Sequence, residues 1–96
     1  AYENMHDYKS AEKDYTELIK RYPQDSDFYE YRAKSYLAAG DADKAIADYS
    51  KVIELAPRYA GGYAGRAKAY EKKEGRASKN AAADLAKIKS FSRLPN

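Results

Sequence analysis

Charged residues recur at a fixed step in this 96-residue chain, and the step decides which chemistry they can perform. Asp14, Asp48 and Asp84 each stand one residue before a large apolar side chain, namely Tyr15, Tyr49 and Leu85. Arg32 and Arg66 lie 34 residues apart, and so do Lys34 and Lys68. A guanidinium presents a planar fork of N–H donors that matches a carboxylate through two parallel hydrogen bonds. Such regular placing invites a binding role, but a structural one fits better: at least one of Arg32 and Arg66 is expected to pair with Asp14, Asp48 or Asp84 across neighbouring elements and lock their packing.

Catalytic chemistry has little to stand on. His6 is the only histidine and there is no cysteine, which removes disulfides, thiolate metal sites and Cys nucleophiles. No carboxylate cluster or nucleophile with a neighbouring base stands in a credible context. Gly61, Gly62 and Gly65 lack both the Lys and the preceding strand of a phosphate loop. The expectation is a non-enzyme with no catalytic residue, no cofactor and no metal.

Composition is globular, with 44% hydrophobic and 34% charged residues, and three prolines leave room for long helices. The length suits one domain with a modest core. No apolar run nears the roughly 18 to 20 residues of a membrane span, and no basic-then-apolar leader opens the chain. A soluble domain is expected, with the cytoplasm as the favoured compartment. The net charge of +3 hides an asymmetry: residues 1–48 hold 7 Lys/Arg against 11 Asp/Glu, and residues 49–96 hold 11 against 4. Two differently solvated surfaces would explain this, as would head-to-tail attraction between copies or a basic patch for an acidic partner.

The elements that must position these groups repeat as well. Tyr29, Arg32, Ala33 and Tyr36 return 34 residues on as Tyr63, Arg66, Ala67 and Tyr70, while Ala45, Tyr49 and Pro57 are foreshadowed by Ala11, Tyr15 and Pro23. With Gly40 between the halves, this frame resembles the tetratricopeptide repeat family, whose 34-residue unit is a pair of antiparallel helices. The resemblance covers nearly the whole chain. It implies an all-α solenoid of antiparallel helix pairs in a right-handed superhelix, about two and a half repeats with five main helices. The division expected is a partial repeat at 1–25, repeats at 26–59 and 60–93, and a tail at 94–96. The chain starts at Ala1 rather than Met, as a processed, excised or engineered chain would, and Ala1–Met5 read as the end of an earlier helix.

Local signals place the five helices. Asp7 is set to cap the first, whose apolar stripe of Tyr8, Ala11, Tyr15, Leu18, Ile19 and Tyr22 closes at Pro23. Ser26 or Asp27 can cap the second, with Glu30 completing a capping box and Gly40 ending it. Asp41 caps the third and Ser78 the fifth. Between Ala45 and Ala81 the step is 36 rather than 34, so the turn at Glu74–Ala77 is expected to be two residues longer. Gly61, Gly62 and Gly65 should soften the start of the fourth helix at about 1 kcal/mol each.

In stacked two-helix repeats the first helix of each pair lines the concave face. On the second and fourth helices that face holds Glu30, Tyr31, Lys34, Leu37, Ala64, Lys68 and Glu71. Lys34 and Lys68 would stand side by side and, with Tyr31, hold a peptide carboxylate and an apolar neighbour, while the helix glycines leave backbone open. Glu30 with Lys34, and Lys68 with Glu71, also read as ordinary same-helix ion pairs. The chaperone-tail clamp of some family members is not matched, since Tyr31, Gly61 and Gly65 occupy its Asn, Lys and Arg positions. A protein-interaction scaffold for another peptide or protein is expected. Two alternatives stay open: a self-assembling unit that homo-oligomerises through an apolar flank around Tyr8 and Tyr15, and, less favoured, nucleic-acid contact through Arg58, Arg66, Lys72, Lys73, Arg76 and Lys79. No membrane partner is implied.

Overall fold

The computed structural model describes residues 5–92, with side chains placed from Lys9 to Phe91. They form α1 (Met5–Arg21), α2 (Ser26–Ala38), α3 (Ala42–Leu55), α4 (Ala60–Glu74) and α5 (Lys79–Ser92), an all-α helical repeat solenoid without strands among the described residues. Each helix packs on its neighbours in the chain, and α2 also touches α4. This local wiring is what stacked helix pairs produce, because each pair buries its apolar face only against the next.

The helix starts are set by short polar side chains, with two corrections to the sequence reading. Asp41 accepts from Lys44 N at 3.2 Å and Ser78 Oγ accepts from Ala81 N at 3.0 Å, so both satisfy a free N–H at a helix start. The cap of α2 is Asp25, not Ser26 or Asp27: its carboxylate accepts from Asp27 N at 3.0 Å. Extended φ and ψ angles at Asp25 suit a cap, whereas Ser26 and Asp27 are already helical, and Glu30 turns to a different partner. The backbone at Asp7 is helical too, inside the first turns of α1, so Asp7 is not its cap. His6 and Tyr8 have side chains outside the described residues, and Tyr2 and residues 93–96 lie wholly outside them.

The first helix of each pair is followed by a glycine at positive φ, Gly40 at 89° and Gly75 at 90°, a backbone conformation that residues with a side chain rarely adopt. The insertion in the third pair is shared between turn and helix. Four residues separate α4 from α5 against three between α2 and α3, and α4 runs 15 residues against 13 for α2.

Small residues let the helices close up. Ala33 and Ala45 are fully buried and cluster with Tyr49 and Ala69, with Tyr36, Leu37 and Ile46 packed around them. Tyrosine hydroxyls then tie helices to turns: Tyr29 donates to Pro23 O and Tyr63 to Pro57 O, each at 3.0 Å. One bond is thus made twice, one repeat apart.

The arginine ladder sets the register of the stack. Arg32 donates from Nε and a terminal nitrogen to the two oxygens of Asp48 at 2.7 and 2.8 Å, and Arg66 does the same to Asp84 at 2.9 and 2.7 Å. The remaining nitrogen of each reaches back one repeat, to Thr16 Oγ1 and to Ser50 Oγ, both at 3.1 Å. Each arginine therefore joins three helices. These bonds to a nearly buried carboxylate raise both guanidinium pKa values further above their usual range. Asp14 is an exposed residue outside this ladder; in α1 the arginine contact falls on Thr16.

Candidate functional site

Because α2 and α4 are both antiparallel to α3, they lie side by side, and a groove of about 490 Å³ opens between them. Glu30, Lys34, Leu37 and Ala38 form one wall, Gly61, Ala64, Gly65, Lys68 and Lys72 the other, and Tyr49 of α3 reaches in from below. Five of the seven concave-face residues expected from sequence line it: Glu30, Lys34, Leu37, Ala64 and Lys68.

Tyr31 and Glu71 do not. The Tyr31 ring leans toward α1 and meets Tyr15 with centroids 5.6 Å apart, because the surface it covers is the interface with the preceding helix. Glu71 is exposed near the end of α4 and is not part of the groove lining, although its neighbour Lys72 is. Of the two same-helix ion pairs expected, Lys34 meets Glu30 at 3.9 Å, while Lys68 and Glu71 make no salt bridge among the described residues.

The helix glycines do not leave bare backbone for a ligand. A Cβ at Gly65 would clash with the Tyr49 ring, and one at Gly61 with the Tyr59 ring, so the chain's own tyrosines already occupy the close approach. At Gly62 a Cβ would come within 3.1 Å of Val52 and Ile53 side chains. Gly62 and Gly65 let α4 press onto α3, where two larger residues would hold it off, and Gly61 makes room for the Tyr59 ring.

Tyr49 and Tyr59 were not visible from sequence as site residues. Tyr49 belongs to the core stripe of α3 and is 2% exposed, yet it lies at the groove floor. Its hydroxyl has no hydrogen-bond partner among the described residues. Burial, followed by the charge of Glu30, pushes its pKa up to about 12. The available signal was register: Gly65 stands 34 residues after Tyr31, so the ring that meets a tyrosine in one repeat meets a glycine in the next. Tyr59 occupies the N-cap position of α4 but makes no side-chain cap bond. Its hydroxyl instead donates to Glu30, 2.9 Å from Oε2 and 3.1 Å from Oε1, and this bond to an anion raises the phenol pKa.

The groove thus carries three ammonium groups, one nearly buried carboxylate and one buried phenol, over an apolar strip of Leu37, Ala38 and Ala64. Such a surface binds through charge and shape; it holds no nucleophile with a base. Among the described residues no group of His, Cys, Asp and Glu could hold a metal ion, and no helix is long and apolar enough to cross a membrane.

A family model described as tetratricopeptide repeat matches residues 1–60 and again residues 32–91. No curated protein matches the chain.

Proposed function

Because the chain belongs to the tetratricopeptide repeat family, whose repeats generally mediate protein–protein interaction and whose fold is typically a non-catalytic scaffold, we propose that it takes a peptide or protein segment in the groove between α2 and α4. The observation that carries this reading is the convergence of Lys34, Lys68 and Lys72 on an open groove whose remaining lining is largely apolar. Among the described residues only Lys34 of the three pairs with a carboxylate, at 3.9 Å, and an exposed pair of that kind contributes little. The groove is therefore set to accept carboxylates and main-chain carbonyls, with Leu37 and Ala64 for an apolar side chain.

Titrating the ¹⁵N-labelled chain with acidic and neutral peptides tests this. Acidic peptides should shift the amides of Lys34, Gly61, Gly65 and Lys68, and Lys34→Glu with Lys68→Glu should weaken binding at least tenfold. Shifts confined to other faces would end the reading.

The self-assembly alternative loses support where Tyr15 packs on Tyr31 of its own chain rather than forming an open patch. The nucleic-acid alternative loses two of its cations to internal pairs, Arg66 with Asp84 and Lys73 with Asp43, each at 2.7 Å.

A further inference from the structure

The groove has unlike ends. Tyr59, just before α4, touches Glu30 near the start of α2, so the N-terminal ends of the two helices lie together. Glu30, Gly61 and the Tyr49 hydroxyl belong to that end; Lys68 and Lys72 follow two and three turns along α4. From residue 61 to residue 72 a helix rises about 16 Å, the span of roughly five residues of extended peptide.

Glu30 presents its carboxylate at that end. It is 8% exposed, and its hydrogen bonds come from a phenol, which brings no positive charge. The Lys34 ammonium stands 3.9 Å away on a side chain that is 62% exposed, too far and too solvated to neutralise it. An ionised carboxylate offers about four acceptor sites, so Tyr59 leaves room for a further donor. Beside it Tyr49 lines the floor of the groove, close enough to Glu30 to feel its charge. A group carrying several N–H donors and a positive charge answers the remaining acceptor sites of Glu30, with the Tyr49 hydroxyl as a further acceptor.

On the groove reading above, we propose that the occupant is a charge-polarised peptide, with an ammonium or guanidinium group seated against Glu30 and Tyr49 and a carboxylate seated against Lys68 and Lys72. Tyr59 serves as the positioning residue that holds the Glu30 carboxylate toward the groove. The middle of the ligand lies over Leu37 and Ala64 and needs only a modest apolar side chain.

The test uses three acetylated, amidated pentapeptides titrated into the ¹⁵N-labelled chain: Lys-Ala-Leu-Ala-Glu, the same peptide with Gln for Lys, and the same with Gln for Glu. The doubly charged peptide should bind at least fivefold tighter than either of the others. Glu30→Gln retains an oxygen for the Tyr59 hydroxyl, and it should erase the advantage of Lys while leaving that of Glu. Lys68→Gln with Lys72→Gln should do the reverse. A spectrum of each variant matching the parent away from the groove establishes that the fold is kept. If the Gln-for-Lys peptide binds as tightly as the doubly charged one and Glu30→Gln changes nothing, the polarised ligand is wrong and the groove stands. If none of the three shifts Gly61, Gly65 or Lys68, both are wrong.

Discussion

The Tyr49 ring rests so close against the backbone of Gly65 that a Cβ at residue 65 would clash with it. One repeat earlier the equivalent pair is Tyr15 and Tyr31, two rings with centroids 5.6 Å apart. The same helix contact therefore has its open side filled by Tyr31 in one repeat and left as a groove over Gly65 in the next.

Gly65→Ala should destabilise the fold even though Ala is the better helix former by about 1 kcal/mol. The added methyl has to displace a ring that is 2% exposed and enclosed by the core. Overpacking of this kind costs about 1 to 3 kcal/mol, and peptide binding should weaken with it as the groove floor moves. Urea unfolding followed by circular dichroism measures the first and peptide titration the second. A more stable Gly65→Ala variant would mean the Tyr49 ring is free to swing away.

Arg66→Met should be among the most damaging single changes. It leaves the Asp84 carboxylate, 6% exposed, without its two donors and cuts the link to Ser50. Removing one member of a buried pair costs about 3 to 5 kcal/mol, because the remaining charge is left uncompensated. Pairing it with Asp84→Leu should recover much of the loss, because no unpaired charge then remains. Equal unfolding midpoints for the single and double variants would contradict this.

Tyr59 separates two roles that a lone alanine substitution would blur. Tyr59→Asp supplies the N-cap side chain that α4 lacks, ordinarily worth about 1 kcal/mol. Here it should lower stability instead, since the hydrogen bond to Glu30 is lost and two carboxylates are brought together. Tyr59→Phe keeps the ring over Gly61 and should cost about 1 to 3 kcal/mol through the donor removed from a charged acceptor. Melting curves for both variants decide it, and an Asp variant that melts higher than the parent would assign Tyr59 to poor capping alone.

Alkaline pH should unfold the chain through its tyrosines. In the unfolded chain a phenol ionises near 10.0, whereas folded Tyr49 holds its proton to about 12, with Tyr36 and Tyr59 also raised. Stability is unaffected below the unfolded value. Above it the unfolded state sheds protons that the folded state retains, so stability falls, by at most about 1.4 kcal/mol per pH unit for buried Tyr49 and by less for solvent-screened Tyr59. A spectrophotometric phenolate titration should show a late-ionising fraction that vanishes in denaturant. Tyr49→Phe should lift the pH of alkaline unfolding.

The fold was legible in the sequence because a repeat states its pattern several times. The 34-residue return of tyrosines, alanines and turn prolines specifies helix pairs, and short-range chemistry places most of their ends: Asp41 and Ser78 start helices, and Gly40 ends one. The Arg–Asp ladder was legible for the same reason, since two groups at equal spacing on successive helices must meet once the helices stack. Half of the groove followed too, because helical periodicity puts Glu30, Lys34 and Lys68 on one face. Tertiary packing alone decided the rest. Whether Tyr49 is core or groove floor depends on how near α4 comes to α3, and that depends on glycines whose effect in isolation would only be to weaken a helix. Tyr59 abandons its local task as a cap for a carboxylate 29 residues away. Asp25 takes the capping place from its two neighbours because the backbone angles at the turn suit it, and Glu30, freed from a capping box, turns to Tyr59. Short-range preferences of about 1 kcal/mol are legible in a sequence until a buried contact of similar or greater strength outweighs them.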